Sequence, residues 1–324
     1  MQFESAHKKN ALICGITGQD GSYLAQFLLD KGYHVWGTSR DAQGSSLTNL
    51  KTLNIVDRVT LLSMVPEDFR SVFVAIERSR PNEIYYLAGQ SSVGLSFDQP
   101  AETIQSAVIG TLNVLEACRM QDRSIRLYHA GSSESFGDTR GEPANEETPF
   151  SPRSPYAVAK ASSFWLVNNY REAYGLFACT GMLFNHESSL RPTRFVTQKI
   201  VQTAKRIGSG SPEKLILGRL DISRDWGWAP EYVDAMWRML QLPAPEDFVI
   251  ATGRTNPLQQ FVELAFESVG LQWRNHVIQS EEYMRPTDLL ISLANPQKAM
   301  EKLGWCATVT LPELIRRMMN GQLR

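Results

Sequence analysis

Ala11-Leu12-Ile13-Cys14-Gly15-Ile16-Thr17-Gly18-Gln19-Asp20-Gly21-Ser22-Tyr23-Leu24-Ala25-Gln26-Phe27-Leu28-Leu29 decides the fold. The apolar run Ala11 to Cys14 reads as a strand, and from Ser22 onward apolar positions recur at helical spacing. Between them lies a glycine-spaced turn. Gly15 permits the tight turn, Gly18 lets backbone approach a pyrophosphate, and Gly21 lets the helix pack close to the sheet, which places phosphates at a helix N-terminus. Such spacing alone also fits an ordinary glycine turn; its place at the start of a βαβ pattern favours a dinucleotide.

Outward from this stretch, short apolar runs alternate with amphipathic ones. Val35 to Thr38, Val59 to Leu62, Ile84 to Ala88 and Arg126 to Ala130 read as further strands with helical patterns between them. The alternation implies an α/β fold, a doubly wound parallel sheet of Rossmann type, with ligands beyond the carboxyl ends of the strands. After Gly181 the pattern changes. Asn185 to Arg194 is polar and proline-interrupted, Phe195 to Ile207 is helical, and later strand-like pieces such as Phe248 to Ala251 are short. The expected division is a dinucleotide-binding domain over 1–183 and a smaller mixed lobe over 184–324, with segments near 224–251 able to return to the first domain.

With 324 residues and a formal charge of -1, the chain is long enough for a well-buried core and carries no cationic surplus for nucleic acid. Cys14, Cys118, Cys179 and Cys306 are scattered, without metal or redox spacing, and read as small buried residues in a reducing compartment. Met1 to Asn10 is polar with Lys8 and Lys9, so it is no secretory signal, and no apolar run reaches the length of a membrane span. A cytoplasmic protein with no membrane partner and no metal is expected.

Two downstream segments carry chemistry: Gly131-Ser132-Ser133-Glu134 and Tyr156-Ala157-Val158-Ala159-Lys160. Pro155 opens a helix running through Tyr170, so Tyr156 and Lys160, four apart, share a face. An ammonium near a phenol favours the phenolate, which then takes a hydroxyl proton as an alcohol loses hydride. Tyrosine and lysine at this spacing occur on many helices without function; the glycine turn upstream and the Ser/Glu strand end between them favour the catalytic reading. Ser132 is placed to hydrogen-bond the reacting hydroxyl. Glu134 adds a second base: a carbonyl formed by hydride loss acidifies the adjacent carbon, and a carboxylate there removes that proton and eliminates water.

At these residues the chain resembles the extended short-chain dehydrogenase/reductase superfamily and, within it, the GDP-mannose 4,6-dehydratase family. The likeness runs over nearly the whole length through Ser154-Pro155-Tyr156, Asn169-Tyr170-Arg171-Glu172-Ala173-Tyr174-Gly175, Leu183-Phe184-Asn185-His186-Glu187-Ser188, Arg224-Asp225-Trp226-Gly227 and Arg285-Pro286-Thr287. The resemblance implies a catalytic set of Ser132, Glu134, Tyr156 and Lys160. It implies cofactor contacts at Gly15, Thr17, Gly18, Gln19, Asp20, Gly21, Arg40, Leu87, Ala88, Tyr156 and Lys160. Nucleotide-sugar contacts are implied at Gln90, Ser91, Asn185, Glu187, Arg191, Lys199, Arg224 and Arg285. The implied reaction is internal redox with NADP, hydride leaving C4 of GDP-mannose and returning to C6 after water is lost across C5–C6.

The chain departs from the family pattern. Arg40 is kept, but Asp41 stands where a second arginine is usual, with Ser45 nearby, so NADP is favoured over NAD by one arginine. Ser63-Met64-Val65-Pro66 replaces an adenine-facing aspartate, Gly89 an alanine, Phe136 a tyrosine and Ser189-Leu190 a Pro-Arg pair. Two other readings stand beside the dehydratase: a 4-keto-6-deoxy GDP-sugar reductase or epimerase on the same fold, and a catalytically quiet NADP-binding protein. The resemblance also implies a homodimer or homotetramer, through helices flanking the tyrosine helix.

Overall fold

The structure, a computed structural model, describes residues 8–121 and 124–324. Most of the N-terminal stretch read above as no signal, residues 1–7, lies outside them.

Among the described residues, twelve strands occur in the order β1 (Asn10–Cys14), β2 (His34–Ser39), β3 (Thr60–Ser63), β4 (Glu83–Tyr86), β5 (Arg126–Ala130), β6 (Ala178–Leu183), β7 (Asn185–Glu187), β8 (Leu215–Leu217), β9 (Ser223–Trp228), β10 (Phe248–Ile250), β11 (Thr255–Pro257) and β12 (Val277–Gln279). Seven of them form one sheet in the order β10-β6-β5-β4-β1-β2-β3, and every pairing in it is parallel. This is the doubly wound sheet that the alternation implies. Leu12 stands opposite Trp36 on one side and Ile84 on the other, so β1 lies where the winding reverses. In open α/β sheets, ligands bind beyond the carboxyl ends at that point.

Because side chains alternate across a strand, β1 feeds both faces. Ala11 and Ile13 join a core with Leu24 and Leu28 of the Gln19–Asp30 helix and Val233 and Met236 of the Ala229–Met239 helix. Leu12 and Cys14 join the opposite core with Val72, Ile76, Val114 and Leu115. A strand buried on both faces must read as an unbroken apolar run, which is why Ala11 to Cys14 does.

The fourth strand ends at Tyr86, short of the expected Ala88. Leu87 still donates to Cys14 O at 3.0 Å, but Gly89, with φ +124, turns the chain out of the sheet. The same φ is strained for an alanine, so the glycine at this position is a conformational requirement of this chain.

The tyrosine helix, Pro155–Tyr174, begins at Ser154, whose side chain accepts from Ala157 N, and stops at Gly175 in the left-handed conformation. Beyond β6, the smaller sheet β11-β9-β7 carries, in Asn185–Glu187, part of one of the five segments quoted for the family resemblance and, in Ser223–Trp228, the whole of another. A separate core, with Ile200, Val201, Ala204, Trp226, Phe261, Val262, Leu314 and Ile315, supports it. The chain returns to the large sheet through β10, paired with β6. Three cysteines are buried as expected, whereas Cys306 is exposed; all four are free thiols. No helix among the described residues is long and apolar enough to cross a membrane.

Candidate active site

The Gly15–Gly21 turn hangs on the end of β2: Gly15 N and Ile16 N both donate to Thr38 O, each at 3.2 Å. A Cβ on Gly21 would lie 2.3 Å from Gly15 O, so glycine is the one residue that lets the helix start here. A Cβ on Gly15 would stand 3.1 Å from the Ala88 backbone, which brings Leu87 and Ala88 against the turn. The helix begins at Gln19 with no side-chain cap. Its first N–H groups and the positive end of its dipole are therefore available to an anion. Gly18 is exposed, and the turn fits a dinucleotide pyrophosphate. Gln19 and Asp20 point elsewhere: Ser188 Oγ donates to Gln19 Oε1 at 2.8 Å, Gln19 Nε2 donates to His186 O at 3.2 Å, and Asp20 Oδ2 faces His186 Nε2 at 2.8 Å.

Past β2, Arg40 is exposed and pairs with Glu102 at 3.2 Å and Glu67 at 3.7 Å. Asp41 at the second-arginine position has a local role. It accepts Gly44 N at 3.0 Å and Gln43 N at 2.9 Å, and these bonds hold its carboxyl below the usual range. Ser63, at the expected aspartate position, accepts Ala42 N at 3.0 Å and closes the same loop. Gln90 is occupied within its own loop, donating to Ser92 O at 2.8 Å and accepting from Ser92 N, while Ser91 is exposed.

Ser132, Glu134, Tyr156 and Lys160 gather at the carboxyl end of β5. Ser132 Oγ accepts Glu134 N at 3.3 Å. Tyr156 and Lys160 are buried, with Lys160 Nζ 5.9 Å from the tyrosine ring centroid. Lys160 Nζ donates to Ala130 O at 2.8 Å rather than to the phenol. Burial pushes the phenol up to about 12, with the Ser132 hydroxyl pulling against it and the Glu134 charge adding to it. Burial also brings Lys160 down to about 8. Beside the phenol, burial raises the Glu134 carboxyl, opposed by Arg224 and Arg285.

The implied nucleotide-sugar residues divide into two groups. Arg224 and Arg285 converge with Glu134 around Asp288: Arg224 Nη2 lies 2.8 Å and Arg285 Nη1 3.5 Å from Asp288 Oδ1. Glu187 is buried and acts on its own chain, taking the Thr197 hydroxyl at 2.7 Å and facing Arg191 Nε at 3.2 Å. Arg191 in turn lies over the Phe195 ring at 3.7 Å. Asn185 is half-buried at the start of β7. Lys199 is turned to Ile216 O at 2.7 Å and the Tyr283 ring at 4.3 Å. Two residues of this neighbourhood were not singled out from the sequence, Asp288 and His186. The available signals were their places in Arg285-Pro286-Thr287-Asp288 and Asn185-His186-Glu187. A cavity of about 640 Å³ lined by Phe150, Phe164, Trp165 and the Arg171–Asp247 pair contains none of the implied site residues.

Residues 12–318 match the family model described as GDP-mannose 4,6 dehydratase. The chain is 42% identical over 326 residues to GDP-mannose 4,6 dehydratase 1 of Arabidopsis thaliana, covering 98% of this chain and 90% of that protein. It is 40% identical over 353 residues to GDP-mannose 4,6-dehydratase of Vibrio cholerae, covering 98% and 94%. Among solved structures, Thermus thermophilus UDP-glucose 4-epimerase in complex with NAD superposes with TM-score 0.84 at 26% identity, covering 96% of this chain and 98% of that one.

Proposed function

The chain belongs to the GDP-mannose 4,6-dehydratase family, and from that premise we propose that it is a hydro-lyase converting GDP-mannose to GDP-4-keto-6-deoxymannose by internal redox with NADP. The observation that carries the reading is the meeting of Glu134, Tyr156 and Ser132 beside the Arg224–Arg285 pair. A simple alcohol dehydrogenase has no use for a carboxyl as a second base beside the phenol, while a dehydratase needs one.

A nicotinamide dinucleotide on the Gly15–Gly21 turn supplies a hydride acceptor and donor, so no reductant is consumed over a cycle. Arg224 and Arg285 match the diphosphate oxygens and exchange Asp288 for them on binding. Ser132 holds the C4 hydroxyl, and Tyr156 in its base form takes that hydroxyl's proton. Since burial opposes this form, the Ser132 hydrogen bond and nearby cationic charge supply the counterweight. Glu134 removes the C5 proton and passes a proton to the departing C6 hydroxyl, which leaves as water; its raised pKa suits a group that must do both.

In this reading residues 1–183 hold the cofactor and 184–324 the nucleotide sugar, with part of 224–251 returning to the first domain. Arg40 favours NADP by meeting a 2′-phosphate. The outer face of the tyrosine helix, with Val158 and Trp165 exposed, suits a homodimer contact. Four free thiols fit the reducing cytoplasm.

Mass spectrometry of a reaction with GDP-mannose and trace NADP tests the function. Loss of one water from the sugar nucleotide over many turnovers is expected, and Glu134→Gln abolishes it. Intact GDP-mannose, with a 4-keto-6-deoxy sugar nucleotide consumed only when NADPH is added, gives the reductase instead.

A further inference from the structure

One buried contact near this site has no part in the reaction above. His186 Nε2 lies 2.8 Å from Asp20 Oδ2, and its Nδ1 lies 2.7 Å from Phe184 O. A backbone carbonyl only accepts, and so does a carboxylate, so both ring nitrogens carry protons and the imidazole is a cation. Burial works against that charge, but Asp20 outweighs it and raises the His186 pKa. The ring stacks on Tyr232, centroids 4.6 Å apart. Parallel to this pair, Gln19 bonds His186 O and Ser188 Oγ. Three bonds thus join the first residues of the dinucleotide helix to residues 186–188, which sit between Asn185 and Arg191.

We propose that His186, with Gln19, clamps the dinucleotide turn to the nucleotide-sugar segment, so that binding of either ligand raises affinity for the other. The inference rests on the proposed placement of the nucleotide sugar at Asn185 and Arg191. The physical route is short. The backbone of residue 186 carries Asn185 on one side and Glu187 on the other, and Glu187 orients Arg191. A ligand that orders this segment orders Gln19 and Asp20 through the clamp, and the reverse follows by linkage. His186 is therefore a positioning residue.

Titration calorimetry of the full chain tests this, with NADP and, as an unreactive probe, GDP, each alone and with the other saturating. In the wild type each Kd falls about fivefold or more when the other ligand is present, and the two ratios agree. His186→Phe, which keeps the stack on Tyr232 and removes both N–H groups, brings the ratio near one while each ligand alone still binds. His186→Gln, which keeps a donor toward Asp20, recovers part of it. A wild-type ratio of one with both ligands bound, or an undiminished ratio in His186→Phe, overturns the clamp. Absence of GDP binding to the wild type overturns the nucleotide-sugar reading and the clamp with it.

Discussion

Lys160 Nζ donates to the carbonyl oxygen of Ala130 at 2.8 Å, which ties the second turn of the tyrosine helix to the carboxyl end of β5. The bond fixes where Tyr156 sits relative to Ser132. It also holds a cation in a buried place.

From this relationship follows a separation of stability from activity. Burial lowers Lys160 from its ordinary 10.5 to about 8. For a base with a depressed pKa, the related stability is present above 10.5 and lost as pH falls through 8. At pH 7 the fold therefore carries the whole cost, about 3 kcal/mol. Lys160→Met relieves this cost but strands the Ala130 carbonyl, which costs about 1–3 kcal/mol. The variant is expected to melt within a few degrees of the wild type at pH 7, while the wild type gains on it between pH 8 and 10. Turnover of GDP-mannose drops by about 100-fold or more. A large fall in melting temperature at pH 7 would show Lys160 to be chiefly structural.

Asp225 gives the opposite sign. It is fully buried in β9, where burial raises it to about 6 against the bonds it accepts from Thr252 N at 3.0 Å and Arg254 N at 3.1 Å. Stability from an acid raised in the fold is present below its ordinary value near 3.8 and lost as pH rises through about 6. Urea unfolding at pH 5 and pH 7 is expected to show the wild type losing about 1 kcal/mol more than Asp225→Asn over that interval. Equal slopes would refute the assignment.

How far the sequence reached depends on the range of the interaction that matters. β1 is buried on both faces and so reads as an unbroken apolar run, and the turn after it is written in glycines. Both were legible because each leaves its mark in the local pattern of residue types, although the packing behind them is distant. The phenol–lysine pair was legible as a neighbour relation, but its electrostatics were not. The acceptor of Lys160 is thirty residues away, and burial is set by the whole fold. Glu187 stands among the contacts that the resemblance implies, but the sequence does not show that its carboxylate also meets Thr197 and Arg191. The motif residue Arg171 proves structural: it forks onto Asp247 at 2.6 and 3.1 Å and ties the tyrosine helix to residues just before β10. Partners from distant segments leave no trace in local spacing, which is also why the pairings of Asp288 with Arg224 and of His186 with Asp20 are not legible in the sequence.

The proposed preference for NADP rests on Arg40. Exposed and held by Glu102 and Glu67, it can exchange these carboxylates for a 2′-phosphate, whereas Asp41 is engaged with its own loop. Arg40→Ala is expected to weaken NADP binding about tenfold and leave NAD binding nearly unchanged, as read by quenching of tryptophan fluorescence. Equal losses for both cofactors would remove the arginine from the selection.

Gly18 and Gly21, two of the three glycines of the turn, should fail differently when given a methyl group. A Cβ on Gly21 would sit 2.3 Å from Gly15 O and 2.7 Å from Ile16 Cα, inside rigid backbone. Gly21→Ala must therefore displace the turn, at about 1–3 kcal/mol, and lose cofactor affinity with it. A Cβ on Gly18 meets Gly15 O at 3.4 Å, ordinary contact, so the fold accepts it. The methyl then stands on the exposed side where a pyrophosphate must approach. Gly18→Ala is expected to melt like the wild type while binding NADP at least tenfold more weakly. Thermal melts with and without NADP separate the cases, because ligand-induced stabilisation shrinks in both variants while the ligand-free midpoint moves only in Gly21→Ala. A Gly18→Ala chain stabilised by NADP as fully as the wild type would move the pyrophosphate away from this turn.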